Sequence, residues 1–194
     1  MSGRLDTCIF VGRFQPLHKG HMEAIRYAAS RCGRLVVCVG SAQERGTSRN
    51  PMPADDRLKT LRMAIPSGRI CGCRISYMKV PDFMDDDAWF AYITGRVPRI
   101  DAVFSGNAWV RSIFRSRGIM TVVPPWHERK ELSATRIRSL IRHGRPWKKL
   151  VPREALRELS REEAVIRSSS GRGRHSRRIP PSGRSRTNRA AGRN

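Results

Sequence analysis

No uninterrupted apolar run in the 194 residues approaches the ~18 to 20 needed to span a bilayer. The first ten residues also lack the apolar centre of a secretory leader, because Arg4 and Asp6 interrupt them. These absences exclude a helical membrane protein and predict a cytoplasmic one without membrane contact. Cysteine is sparse. Cys8 and Cys38 lie in apolar runs, Cys32 closes a helical pattern, and Cys71-Gly72-Cys73 is a C-x-C with no second cluster. Structural zinc needs about four ligands at suitable spacing, so the five thiols are expected to be reduced and structural, and no metal held by protein ligands is expected. Acidic residues are scarce too: 16 Asp and Glu face 39 Lys and Arg, a formal charge of +23. The excess is uneven. Residues 167–194 hold nine Arg, no Lys and no acid, which leaves +14 for residues 1–166.

That division separates two regimes. Residues 1–166 are long enough to bury one full core and are expected to form a single domain. Residues 167–194, rich in Arg, Ser and Gly, bury too little apolar surface to offset ordering entropy and are expected to be a disordered tail. Within the domain, Thr7 to Gly12 and Leu35 to Gly40 are short continuous apolar runs ending in Gly, as expected of strands buried on both faces. Between them, Lys19 to Cys32 places Met22, Ile25, Ala28 and Ala29 at helical spacing. Helices are predicted near 54–64, 87–95, 108–117, 134–142 and 153–166, and strands near 74–79, 102–104 and 119–123. This alternation predicts an α/β fold with an open, doubly wound parallel sheet. In such sheets ligands sit beyond the carboxyl ends of the strands.

The first strand runs directly into Gly12-Arg13-Phe14-Gln15-Pro16-Leu17-His18-Lys19-Gly20-His21. A strand end followed by a helix N-terminus presents free backbone amides to an anion. His18 and His21, three apart at the helix start, share one face and can donate to the same phosphate. Arg13 and Lys19 add charge, Gly20 removes a side chain where a nucleotide would approach, and Pro16 keeps Gln15 out of the helical region. Further along, Ser133 is an N-cap for the helix that follows, with Thr135 and Arg138 within its first turns. Free amides, hydroxyls and an arginine there suit a polyphosphate.

The decapeptide resembles the signature of the H-x-G-H nucleotidyltransferases, and its G-R-F-Q-P start closely resembles the archaeal-type nicotinamide-nucleotide adenylyltransferases. Leu132-Ser133-Ala134-Thr135-Arg136-Ile137-Arg138 resembles the superfamily's second signature, which aligns Arg138 with the motif's arginine. Ala134, Leu132 and Glu131 depart from the usual pattern there. The resemblance covers residues 5 to about 160, with Pro146-Trp147 and Leu150-Val151-Pro152 similar to the archaeal-type ending. It implies a Rossmann-like fold and ATP as substrate, with Mg²⁺ carried on ATP. Under it, Arg13, His18, His21 and Arg138 form the catalytic set. Gly12, Phe14, Gln15, Gly20, Gly40, Ser41, Ser133 and Thr135 join the nucleotide site. Arg49, in the loop after the second strand, falls near phosphate, and Ser105-Gly106-Asn107 corresponds to an adenine or ribose turn. Trp89 corresponds to a family tryptophan, and its indole could stack on a nicotinamide cation; Trp126 is a weaker aromatic candidate. Asp85-Asp86-Asp87 reads as an acidic helix start in preference to a magnesium site.

The implied reaction joins nicotinamide mononucleotide (NMN) to the AMP moiety of ATP, giving NAD and pyrophosphate. Rivals within the superfamily would use FMN, nicotinic acid mononucleotide, phosphopantetheine or a cytidylyl acceptor. A different class of reading is a nucleic-acid-binding protein, since the +9 tail would contact phosphate backbones without sequence preference. Relatives of the implied family are often homo-oligomers. An unselected origin of the tail is a third reading.

Overall fold

The computed structural model describes residues 3–66, 68–125 and 132–169. Six strands form one sheet: β1 (Leu5–Gly12), β2 (Cys32–Val39), β3 (Arg69–Ile70), β4 (Cys73–Lys79), β5 (Ala102–Phe104) and β6 (Met120–Val122). The helices are α1 (Lys19–Ala29), α2 (Ala54–Ala64), α3 (Asp86–Thr94), α4 (Ala108–Arg115), α5 (Ala134–Arg142), α6 (Leu156–Arg161) and α7 (Glu163–Ser168). A 3₁₀ turn at Lys148–Leu150 follows the Pro146-Trp147 pair. No helix among the described residues is long and apolar enough to cross a membrane.

The strand order is β3-β4-β2-β1-β5-β6. All neighbours are parallel except β3, which pairs antiparallel with β4 through Arg69 and Ile70. The sheet is therefore doubly wound as expected, with one short antiparallel edge that a two-residue strand is too brief to announce by periodicity. Chain order reverses at β1, which pairs with β2 on one side and β5 on the other. That reversal opens a crevice at the carboxyl ends of β1 and β5.

Side chains alternate across the buried strands, so both faces carry core. Cys8, Phe10, Leu35, Val37 and Phe104 pack under α1, α2, α5 and the C-terminal helices through Ile25, Leu61, Ile137, Ile141 and Ile166. Ile9, Val11, Val36 and Val103 pack under α3 and α4 through Trp89, Ile93, Val110 and Phe114. The continuous apolar runs of β1 and β2 are the signature of this two-sided burial. Trp147 and Val151 join the first layer, which gives the C-terminal motif a packing role.

Three boundaries differ from expectation. Cys32 opens β2 and does not close α1, which ends at Ala29. The shift brings Cys32 beside Cys8 on the neighbouring strand, with Cα atoms 6.2 Å apart, and the two form a disulfide. The expectation of five reduced thiols is corrected on that point; Cys38, Cys71 and Cys73 are free. The last helical stretch is broken at Glu162 into α6 and α7. The position 166/167, set as the domain edge, falls inside α7, and Ser169 is buried; residues 170–194 lie outside the described residues.

Asp101, just before β5, fastens the opposite end of the sheet. Its Oδ2 accepts from the backbone N–H groups of Asp6 and Thr7, each at 2.9 Å. The Thr7 N–H foremost, aided by that of Asp6 and by Arg99, holds the carboxyl below its ordinary value of 3.8. A lowered carboxyl stabilises the fold above its ordinary pKa and loses that contribution as pH falls through the folded value. Asp101→Ala should therefore cost about 1 to 2 kcal/mol at neutral pH, and the stabilities of the two proteins in denaturant melts should draw together as acid protonates the carboxyl. Equal stability at pH 7 would remove this role.

Candidate active site

A cavity of about 400 Å³ opens at the crevice between β1 and β5. It gathers Gly12, Arg13, Phe14, Gln15, His18 and His21 with Gly40, Ser41, Trp89, Ser105, Gly106, Asn107, Ser133, Thr135 and Arg138. Sequence distance is no guide to this set, since Gln15 and Arg138 are 123 residues apart yet Arg138 donates to the Gln15 carbonyl at 2.7 Å.

The helix starts explain the convergence. His18 is the N-cap of α1, and its Nδ1 accepts from the His21 backbone N–H at 3.3 Å. With Nδ1 accepting, a neutral His18 carries its proton on Nε2 and presents that nitrogen as a donor. The two imidazoles stack with centroids 3.7 Å apart, and Phe14 packs against His21 at 4.9 Å. Asn107 caps α4 by accepting from the Trp109 N–H, and Ser133 caps α5 by accepting from that of Arg136. Three helix N-termini thus meet at one cavity, adding partial positive charge without a formal cation.

The charges lean the same way. Burial lowers Arg138 to about 10, with Arg13, Arg142 and Arg49 acting in the same direction. Its Nε is buried without a hydrogen-bond partner, while its terminal nitrogens reach Gln15 and, at 3.3 Å, the Thr135 hydroxyl. Burial also lowers Arg13, followed by repulsion from Arg49, against opposing pulls from Glu44 and Asp82. At about 10, Arg138 stays charged near neutrality. His18 is lowered to about 4 by burial, and His21 is held well below its ordinary value by burial, His18 and Arg13. The arrangement is a cation-rich crevice with neutral imidazole donors, suited to several phosphates.

Several expected residues have structural roles at the site. Gly20 does not line the cavity; a Cβ there would lie 3.2 Å from His18 Nδ1 and 3.3 Å from Leu132 Cβ. Its bareness lets the His18 ring and Leu132 close in, where an approaching nucleotide was expected. The Gln15 amide is taken up by Met52, donating to its carbonyl at 2.8 Å and accepting from its N–H at 2.9 Å. The Ser105 hydroxyl donates to the Val11 carbonyl and accepts from the Asn107 N–H. Trp89 is almost wholly buried, packed against Trp109 and Phe114. Arg49 is exposed outside the cavity lining, close enough in charge to lower both Arg13 and Arg138. Trp126 and Glu131 lie outside the described residues. Asp85 caps α3 through the Ala88 N–H, Asp86 accepts from the Trp109 indole, and Asp87 pairs with Arg117.

Sequence reasoning missed three contributors. Trp109 and Asp82 line the cavity; Trp109 sits where an apolar position on α4 also reads as core. Arg57 is fully buried, donating to the carbonyls of Arg13 at 2.9 Å, Gly40 at 2.8 Å and Ser41 at 3.1 Å. Its neighbours Asp55 and Asp56 make it look like an exposed arginine on an ordinary helix, so no sequence signal distinguishes it.

Residues 9–140, from β1 into α5, match the model of the cytidylyltransferase-like family, so the cavity belongs to a nucleotidyltransferase. The nicotinamide-nucleotide adenylyltransferase of Thermococcus kodakarensis is 36% identical over 160 residues, covering 81% of this chain and 85% of that one. That of Ignicoccus hospitalis is 38% identical, covering 82% and 93%. At this identity over most of both chains, the protein belongs to the nicotinamide-nucleotide adenylyltransferase family. A solved structure of a bifunctional NMN adenylyltransferase/ADP ribose pyrophosphatase from Francisella tularensis, complexed with AMP and a manganese ion, superposes with a TM-score of 0.69 at 17% identity. It shares the fold over 85% of this chain, which spans about half (52%) of that longer protein.

The neutrality of His18 is directly measurable. Burial disfavours the imidazolium, so the ring should stay neutral down to about pH 4, against an ordinary value of 6.5. The unfolded chain binds that proton first, so the ligand-free fold should lose stability as pH falls from about 6.5 toward 4. Histidine NMR of the ligand-free protein should show the Nε2-protonated tautomer at pH 6, and a titration midpoint near 6.5 would reject the buried donor.

Proposed function

We propose that this enzyme makes NAD by direct in-line transfer, with the 5′-phosphate of NMN attacking the α-phosphorus of ATP. The new bond joins that phosphate oxygen to the α-phosphorus while the bond to the α–β bridging oxygen breaks, and pyrophosphate leaves with the electron pair. Both reactants are polyanions, so the chemistry needs positioning and charge neutralisation more than a covalent nucleophile. The observation that carries the reading is the stacked His18–His21 pair sharing one cavity with Arg138 and the Ser133-capped start of α5.

The roles follow from placement. His18 and His21 donate to the α- and β-phosphates as charge grows on the bridging oxygen. The free amides of α5, with Ser133, Thr135 and Arg138, hold the β- and γ-phosphates. Arg13 and Arg49 close the mouth of the crevice over the ATP phosphates. The turn through Gly106 and Asn107 faces adenine or ribose, and the Trp89–Trp109 wall offers apolar surface and, at the more exposed Trp109, an indole face to the nicotinamide ring. Asp82 is the carboxylate among the lining residues, so a hard cation would be held chiefly by ATP oxygens and water, with Asp82 in reach. Mg²⁺ bound with ATP supplies further neutralisation of the phosphates. The arginines beyond α7, within the stretch 167–194, serve as an accessory polyanion contact, open to non-specific nucleic acid and separate from the chemistry.

Purified protein given ATP, Mg²⁺ and one acceptor at a time should release pyrophosphate rapidly with NMN and slowly with FMN or phosphopantetheine. In the same assay His21→Ala should lose two or more orders of magnitude in turnover, as expected when a donor to developing charge is removed, with an unchanged far-UV spectrum. Wild-type turnover in that variant, or faster release with another acceptor, would overturn the reading.

A further inference from the structure

Loop 41–53 connects β2 to α2 and carries Arg49. Both of its ends are held by side chains: Gln15, at the α1 entry, holds Met52, and Arg57 of α2 holds Ser41. Between them the loop is braced internally, with Gly46 donating to Pro51, the Asn50 N–H donating to the Thr47 hydroxyl, and the Asn50 amide on Glu44. Those bonds shape the loop without fixing where its middle sits against the cavity. Arg142, half-buried at the last turn of α5, reaches across to it and donates to the Ser48 carbonyl at 2.7 Å. Ser48 is the residue before Arg49.

The other contacts of the same guanidinium come from the C-terminal helix. Nε donates to the Ile166 carbonyl and Nη2 to the Ser169 hydroxyl, both at 3.4 Å. Carbonyls in the last turn of a helix are electron-rich acceptors suited to a cation. Ile166 itself is buried in the same layer as Ile137 and Ile141 of α5, so α7 is a fixed backstop. A guanidinium presents five N–H donors in a rigid planar fork, so one side chain can join two segments in a preset geometry that a flexible ammonium does not hold.

We infer that Arg142 is a positioning residue, a latch that uses α7 as its brace to hold the Ser48–Arg49 segment at the mouth of the phosphate crevice. Neither Arg142 nor α7 lines the cavity, yet the placement of Arg49 depends on both. The inference rests on the reading of Arg49 as a phosphate ligand, and the test separates the two.

ATP saturation kinetics at fixed NMN should be measured for Arg142→Ala, Arg49→Ala and the double variant, each with a thermal melt. Arg49→Ala and Arg142→Ala should each raise KM for ATP roughly tenfold, the loss of about one charge-assisted hydrogen bond, with kcat changed less. The double variant should be no worse than Arg49→Ala alone, because the latch has nothing left to place. Multiplying effects in the double variant, or an unchanged KM in Arg142→Ala beside a raised one in Arg49→Ala, would sink the latch while keeping Arg49 as a ligand. An unchanged KM in Arg49→Ala would sink both. If Arg142→Ala does not fold, Arg142→Lys, which keeps the charge but loses the rigid fork that reaches Ser48 and Ile166 together, enters the cycle under the same criteria.

Discussion

The guanidinium of Arg57 joins three backbone carbonyls that belong to the ends of two neighbouring strands. Gly12 and Gly40 already meet through a backbone hydrogen bond of 2.9 Å, and Arg57 closes the gap just beyond it. Without that cation, the carbonyls of Arg13, Gly40 and Ser41 would be buried without this donor, and burying unmade hydrogen bonds is costly. The same bonds engage those carbonyls with Arg57, which does not line the cavity. Backbone oxygens pointing at a phosphate would repel it, so an arginine that never faces the ligand helps decide the polarity of the surface that does.

The cavity therefore has two electrostatic layers. An inner framework of backbone and buried side chains is neutralised internally, as with Gln15 on Met52 and Ser105 on Val11. The second layer, Arg13, Arg49 and Arg138, is cationic by excess: Arg49 lowers the proton affinity of Arg13, and both lower that of Arg138. Like charges held this close destabilise the empty cleft, and a polyphosphate relieves them. Neutral imidazoles fit between the arginines because they donate hydrogen bonds without adding to that repulsion. The charge of the domain, which composition alone would assign to nucleic acid, thus has a local use.

Much of this was legible where residues act through their own neighbours in the chain. The apolar runs of β1 and β2, the α2 and β5 boundaries, the H-x-G-H helix entry and the Ser133 cap all rest on spacing and capping chemistry, and the structure places them as read. The rest depends on partners far away in sequence. Gly20 is bare because Leu132 arrives from another segment. Cys32 pairs with Cys8 because the helix ends three residues sooner than its apolar pattern suggests, a boundary that local propensity locates poorly. Trp109 and Arg57 carry ordinary helical surroundings, and only the closed sheet shows which of their faces meets the crevice.

The placement of the crevice at the reversal of strand order has a consequence for how the molecule comes into being. Its walls include residues from 10–21, 105–107 and 132–138, and the first two segments are brought together only when Phe10 pairs with Phe104. Pairings so distant in the chain close late, because loop entropy must be met before they yield contacts. A chain synthesised only as far as β4 carries the whole histidine motif yet offers no cage for a nucleotide. Substrate binding is therefore a property of the finished sheet alone, and ATP in the cell stabilises completed molecules over partial ones by mass action.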